Sequence, residues 1–336
     1  MQPYAPERRL VLLLAVAAAV KATFRSSQAS ADQATRAEVR IALVRDGTAE
    51  GTAAVAATFR DQLSKLGYVE GRNLEIIERL TNGAQSTLPN IMRDVVASEV
   101  DLIVTNATPA ATAAKSATNR IPIVVLGMAD PVRAGLAQSL ARPGGNLTGL
   151  SMGYDRAFAG KWLELLQETV PHLKTIAVMS NPNNPMHRYL EADVRAVASQ
   201  RGLKIRIVPI AATGDVESRF KEAHRYTEAG IIFGDAPTLG DKRKVTAAAA
   251  KHRLPVVYGV GSFVESGGLM AYAPEVLDMA RRTAEISDMI LRGAHPGEVP
   301  IEQPRKFELL VNLSAARAVG IAMPESVLLR ADKVIQ

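Results

Sequence analysis

Cysteine is missing from all 336 residues. That excludes a disulfide framework, a thiolate metal site, a catalytic thiol and a lipid-modified N-terminal cysteine. Histidine is scarce: His172, His187, His224, His252 and His295 are the five, and no two follow HxxxH spacing. No histidine-rich metal centre is expected from them. Aromatic residues amount to 4%, little material for nucleic-acid stacking platforms. No dense Lys/Arg run occurs either, so nucleic acid is not expected as a partner. What is there is globular in composition, 47% apolar and 22% charged. At roughly 100–200 residues per domain the length suggests two domains.

The N-terminus has its own character. Arg8-Arg9 precede Leu10–Val20, eleven unbroken apolar residues, and Ala29-Ser30-Ala31 offers a small-x-small cut before Asp32. Residues 1–31 read as a secretion signal, giving a periplasmic protein. Eleven residues fall short of the roughly 20 that cross a bilayer, so no stable membrane insertion is expected once the signal is removed. Lys21 and Arg25 make the stretch before the cut long, and the alternatives to a signal are an interfacial anchor or a mis-called start codon. Removing 1–31 takes away a surplus of three positive charges and lowers the formal net charge from +6 to +3, ordinary for a soluble protein.

From residue 37 onward, short β-rich runs alternate with helical patterns. Strands are expected at Val39–Val44, Leu74–Ile77, Asp101–Thr105, Ile121–Leu126, Thr175–Met179, Lys204–Pro209, Gly230–Phe233 and Pro255–Tyr258. Helical patterns lie between them, and one is expected after Asp130-Pro131. This rhythm implies βαβ units and parallel sheets covered on both faces. An internal echo supports two similar halves. Asn119–Gly127 (Asn-Arg-Ile-Pro-Ile-Val-Val-Leu-Gly) resembles His252–Gly259 (His-Arg-Leu-Pro-Val-Val-Tyr-Gly), with prolines 133 residues apart. The boundary is expected near Gly149–Ala159.

Two catalytic patterns fail on context. Gly149-Leu-Ser-Met-Gly153 matches G-x-S-x-G, but Tyr154-Asp155-Arg156 reads as a connection where an elbow needs a helix. Gly153 to Gly160-Lys161 is spaced too widely for a P-loop and places Trp162 where Ser/Thr must meet magnesium. No G-x-G-x-x-G follows the first strand. No catalytic residue, metal ligand or cofactor is therefore assigned, and no enzyme is expected.

Ligands of parallel sheets bind beyond the carboxyl ends of the strands. Those ends carry Arg45-Asp46, Thr105-Asn106, Asp130, Asn181 and Asp235. Several also open helices: Thr108 precedes Pro109, Asp130 precedes Pro131, and Asp235 comes two before Pro237, the pattern of a cap followed by proline. Helix N-termini facing one cleft would offer free N–H groups to a carboxylate.

Several further segments carry a family resemblance. They are Leu66-Gly-Tyr-Val-Glu-Gly-Arg-Asn-Leu74, Asp101-Leu-Ile-Val-Thr-Asn-Ala-Thr-Pro-Ala-Ala111, Asp130-Pro-Val132, Ser139-Leu-Ala-Arg-Pro-Gly-Gly-Asn-Leu-Thr-Gly149 and Val178-Met-Ser-Asn-Pro182. Arg253-Leu-Pro-Val-Val-Tyr258, Glu265-Ser-Gly-Gly-Leu-Met270 and Glu302-Gln-Pro-Arg-Lys-Phe-Glu-Leu309 follow in order. Together they resemble the extracytoplasmic solute-binding proteins of bacterial ABC transporters, the type that includes tryptophan- and tyrosine-binding members.

The resemblance implies an α/β fold of two Rossmann-like lobes with parallel sheets, periplasmic-binding-protein type I-like, joined by a three-segment hinge. Lobe 1 would comprise 37–152 with about 270–300, and lobe 2 would comprise 153–269 with about 301–336. It implies a monomer that closes on a small, amino-acid-like ligand and meets an ABC permease and its ATPase. Thr105, Asn106, Ala107 and Thr108 would hold the ligand carboxylate, while Asp130, Asn181, Asp235 and Tyr258 line the cleft. Asp130 and Asp235 would take an amine and Tyr258 would form a flat wall. If both aspartates serve only their own helices, a simple organic acid is expected instead. Asn106 and Gly234-Asp235-Ala-Pro237 depart from the usual family pattern, so the ligand itself does not carry over. Competing classes are a periplasmic sensor without transport, an enzyme on the same fold, and a cytoplasmic regulator. The regulator would need a helix-turn-helix before residue 38, where a signal-like segment stands.

Overall fold

The computed structural model describes residues 38–211 and 213–336. The expected secretion signal, residues 1–31, lies outside the described residues. The first lobe runs β1 (Val39–Arg45), α1 (Ala49–Lys65), β2 (Leu74–Leu80), α2 (Leu88–Ala97), β3 (Leu102–Asn106), α3 (Ala107–Ala117), β4 (Ile123–Met128) and β5 (Leu147–Ser151). Its five strands are parallel, in the order β2-β1-β3-β4-β5.

The physical causes are local. β1, β3 and β4 are near-continuous buried apolar runs, as a sheet covered on both faces requires. Helix α1 starts at Thr48, whose hydroxyl accepts from Gly51 N at 3.1 Å, and it buries Phe59 and Leu63, one helical turn apart.

The second lobe opens with α4 (Arg156–Thr169), β6 (Thr175–Ser180), α5 (His187–Gln200), β7 (Lys204–Pro209), α6 (Val216–Tyr226) and β8 (Ala229–Ile232). It continues through α7 (Ala236–Gly240), α8 (Lys242–Lys251), β9 (Val256–Tyr258), α9 (Ser262–Glu265) and β10 (Met270–Pro274). Then α10 (Val276–Leu291) returns to the first lobe and buries Met279, Ala280, Ala284 and Ile286 against the Phe59–Leu63 face of α1. The chain re-enters the second lobe for β11 (Phe307–Asn312), α11 (Leu313–Val319), α12 (Glu325–Leu328) and β12 (Lys333–Ile335). The second sheet has seven strands, β12-β11-β10-β9-β8-β6-β7, of which only β10 and β11 pair antiparallel. Its core centres on Trp162, whose ring meets Phe158 edge-on at 4.8 Å and whose indole N–H donates to Tyr272 O at 2.9 Å.

The internal echo has a structural counterpart. Pro122 and Pro255 stand immediately before or at the entry to β4 and β9. The carbonyl of Pro122 accepts from Ile103 N at 2.9 Å, and that of Pro255 accepts from Gly230 N at 2.8 Å. The two prolines occupy matching positions in the two sheets.

Two differences from the sequence expectation have physical reasons. No helix follows Asp130-Pro131. The Asp130 carboxylate accepts from Val132 N at 3.1 Å and Arg133 N at 2.9 Å, and the segment folds as successive turns. Strand β2 extends past Ile77 to Leu80, because Glu78 and Arg79 sit on an edge strand that tolerates charge. Gly149 belongs to strand packing. At φ +135° it lets β5 approach β4 so closely that a Cβ would stand 2.1 Å from Val125 O. Ser151, in the same motif, is buried, and its hydroxyl accepts from Gly153 N at 3.3 Å. Residues 152–155 then run without a helix, so the nucleophile elbow is not built.

Candidate functional site

The carboxyl ends of the two sheets face one another, and the side chains meeting there come from loops after β1, β2, β3, β6 and β8. Asp46 follows β1 and is 3% exposed. Its Oδ1 accepts from Thr81 Oγ1 at 3.0 Å, and its Oδ2 accepts from Gln85 Nε2 at 2.8 Å. Its backbone is held from β3: Asn106 Oδ1 accepts from Asp46 N at 2.9 Å and Asn106 Nδ2 donates to Asp46 O at 3.1 Å.

Asp235 comes from the other lobe, 5% exposed, and caps α7 by accepting from Ala236 N at 3.0 Å. Asn181 Nδ2 donates to its Oδ2, and Asn184 Nδ2 approaches its Oδ1 at 3.4 Å. Gln85 joins the two clusters, since its Nε2 also donates to Asp235 Oδ1 at 3.2 Å. Two buried carboxylates from opposite lobes thus share one amide nitrogen. Among the described residues, neither forms an ion pair with Lys or Arg.

Electrostatics follow from that geometry. Burial pushes the Asp46 carboxyl up to about 6, against the hydrogen bonds from Gln85 and Thr81, and the nearby Asp235 charge pushes the same way as burial. His187, at the start of α5, accepts from Asn181 N at Nδ1 over 2.8 Å. Burial holds its pKa below the usual histidine range, although the charges of Asp235 and Glu191 oppose this. A buried acidic seat with neutral amide neighbours is chemically complementary to a cation.

Beside it stands the start of α3. Asn106 is the residue before the helix, and the N–H groups of Ala107 and Thr108 precede the first intrahelical bond. Ala107 has φ +63°, a left-handed conformation that a side-chain-bearing residue adopts at a cost of about 1–3 kcal/mol. An adjoining cavity of about 930 Å³ opens between the lobes, lined by Gln85, Pro109, Asn181 and Pro237 among others.

The structure distributes the sequence-predicted residues unevenly. It brings together Asp46, Asn106, Asn181 and Asp235, with Ala107 and Thr108 at the adjacent helix start. Arg45, the last residue of β1, does not join the Asp46 cluster. Its guanidinium pairs with Glu78, donates to Thr52 Oγ1 at 2.7 Å and donates to Ala49 O at 2.8 Å, which are all within the first lobe. Thr105 is buried and donates to Val44 O at 2.8 Å. Thr108 does not cap α3; the helix begins at Ala107, and the Thr108 hydroxyl accepts from Ala129 N at 3.0 Å.

Asp130 is engaged by its own turn and by Arg133, whose Nε lies 3.3 Å away. Tyr258 is fully buried rather than forming a cleft wall. Its ring stacks on Phe263 at 4.8 Å and packs over Gly268, and its hydroxyl has no hydrogen-bond partner among the described residues.

Gln85, Thr81, Asn184 and His187 were not legible as site residues. Thr81 would have qualified as a strand-end residue had β2 been extended through its charged positions. Asn184 lies in the Asn-Pro-Asn-Asn-Pro turn after β6, of which only Asn181 stands at the strand end, and His187 opens the helix that follows.

A two-lobed α/β protein with buried polar groups converging from both lobes has the architecture of a solute-binding protein. The family described as ABC transporter substrate binding protein matches residues 42–335, and the chain belongs to that family. It is a family of solute-binding proteins, not of enzymes. The chain is 25% identical over 263 residues, 78% of its length and 75% of the relative's, to a tyrosine-binding protein of Clostridioides difficile strain R20291. A solved ABC domain from Streptococcus pneumoniae in complex with L-Trp is 25% identical and superposes with a TM-score of 0.83, over 89% of this chain and 100% of that one. The ligand-free, open structure of a substrate-binding protein with adhesive properties from Clostridium difficile is also 25% identical, with a TM-score of 0.65 over 89% and 99%. Among the described residues, no helix is long and apolar enough to cross a membrane, and no His/Asp/Glu group of three or more is arranged for a metal ion.

Proposed function

We propose that the protein is the extracytoplasmic component of an ABC importer, capturing a small ligand, an amino acid, between its lobes and delivering it to a membrane permease and its ATPase. The observation that carries this reading is the facing pair Asp46 and Asp235, buried and unmatched by a cation from the described chain. An ammonium group between them would replace neutral hydrogen bonds with charge-assisted ones, worth about 1.5–3 kcal/mol each. The ligand carboxylate would meet the N–H groups of Ala107 and Thr108 at the start of α3.

Capture is by hinge closure, the ligand favouring the closed state because it touches both lobes. Residues 152–155, Glu275 and 303–306, where the chain passes between the sheets, are the hinge segments. The higher TM-score to the L-Trp complex than to the open structure supports a closed arrangement of the lobes. The names of the relatives point to aromatic amino acids as the first candidates.

A thermal-shift screen of the twenty amino acids and their deaminated analogues tests the reading. At a hundredfold excess over Kd, a bound amino acid adds about 2.7 kcal/mol to stability. Stabilisation by neutral sugars alone would sink the proposal.

A further inference from the structure

We infer that Gln85 is a specificity-determining residue whose side-chain amide competes with a ligand's ammonium group for the seat between Asp46 and Asp235. The inference rests on the cation seat proposed above. An amide nitrogen has two protons to donate. Gln85 directs Nε2 at Asp46 Oδ2 (2.8 Å) and Asp235 Oδ1 (3.2 Å), the two oxygens an ammonium would bridge. The other side-chain donors to these carboxylates stay within their own lobes: Thr81 on Asp46, and Asn181 and Asn184 on Asp235.

Gln85 is also placed where it can leave. It opens a single short turn, Gln85–Thr87, at the end of a loop that bends at Asn82 (φ +51°) and Gly83 (φ +83°). The half-buried side chain lines the cavity of about 930 Å³ into which it would swing.

This has a consequence for selectivity. A ligand carrying an ammonium displaces the amide and gains charge-assisted bonds, but only by the difference between the two donors. A ligand without an ammonium leaves Gln85 in place, and both carboxylates keep their partner. Gln85 therefore narrows the discrimination between an amino acid and its deaminated acid. Without it, the amino acid faces no competitor, and the acid leaves two buried carboxylates short of a donor.

The test uses the full mature chain, with Gln85→Met as a variant of similar length lacking donors and Gln85→Ala as a second. Calorimetry would measure Kd for L-tryptophan and L-tyrosine and for indole-3-propionate and 3-(4-hydroxyphenyl)propionate. In both variants the ratio of acid Kd to amino-acid Kd should rise about tenfold or more, with the amino acid binding more tightly than to wild type. A melting curve on each variant checks that the lobes remain folded. An unchanged ratio, or amino-acid binding weakened in both variants, overturns the role of Gln85 while leaving the cation seat standing. If wild type binds none of these probes and none of the other amino acids, both readings fall together.

Discussion

Arg133 and Asp193 belong to different lobes and pair at 2.7 Å. Arg133 lies in the turns after β4, and Asp193 lies within α5 with its side chain only 6% exposed. Arg156 reaches the same carboxylate at 3.3 Å, and the Arg133 guanidinium stands over the Tyr189 ring at 5.8 Å. The pair is a contact that opening of the lobes would break. Because the Arg133 side chain is 44% exposed, solvent screens it and its contribution is about 1 kcal/mol. Asp193→Asn should shift the population toward open lobes, seen as a larger radius of gyration by small-angle scattering, with helix content unchanged. An identical scattering profile would count against a role in closure.

Asp46 makes stability depend on pH. Burial raises its carboxyl from the ordinary 3.8 to about 6, so the folded protein retains a proton that the unfolded chain has released. Its contribution is therefore greatest below about pH 4 and is lost as pH rises through 6, with an upper size of about 3 kcal/mol. Glu78 and Glu302, held below the usual carboxylate range while paired to arginines, act in the opposite direction. The measurable quantity is thus a difference. Wild type minus Asp46→Asn should lose stability between pH 4 and 6.5 in denaturant titrations, and a flat difference would refute the assignment. Amino-acid affinity should conversely fall as pH drops below 6, since the ammonium requires the ionised carboxylate.

Asp235→Asn retains an oxygen for the N–H of Ala236 and so should preserve the start of α7. It removes one charge from the ammonium seat. Amino-acid binding should weaken by about 10- to 100-fold, the equivalent of about 1.4–2.8 kcal/mol, and deaminated acids should bind nearly as before. Equal weakening of both ligand classes would show that Asp235 acts through the fold alone.

Gly149→Ala should be severely destabilising. A Cβ there would lie 2.1 Å from Val125 O and 2.5 Å from Val125 N, both backbone atoms that side-chain repacking cannot move. The left-sided φ of +135° adds strain. A loss of about 3 kcal/mol or more is expected in equilibrium unfolding. Ser151→Ala, two residues on, removes only a hydroxyl accepting from Gly153 N and should cost about 1 kcal/mol or less. A mild effect at Gly149 would mean that β5 can move away from β4.

Much of this molecule is local and was legible as such. Buried runs bounded by polar residues marked eight strands, and the repeated Arg-x-Pro before an apolar run located the matching entries to β4 and β9. Strand-end position also selected Asp46, Asn106, Asn181 and Asp235. Alternation and capping are properties of neighbouring residues, so a linear reading reaches them. It could say that Arg45 and Asp46 stand together at the end of β1, but not which of them meets the second lobe. Nor could it distinguish a carboxylate closing its own turn, as at Asp130, from one that also faces a carboxylate of the other lobe, as at Asp235. Tyr258 illustrates the same limit, because burial behind β9 is set by α8, α9 and Gly268 rather than by its own strand. Gln85 and Asp235, 150 residues apart, meet only because two separately packed sheets present their carboxyl ends to each other.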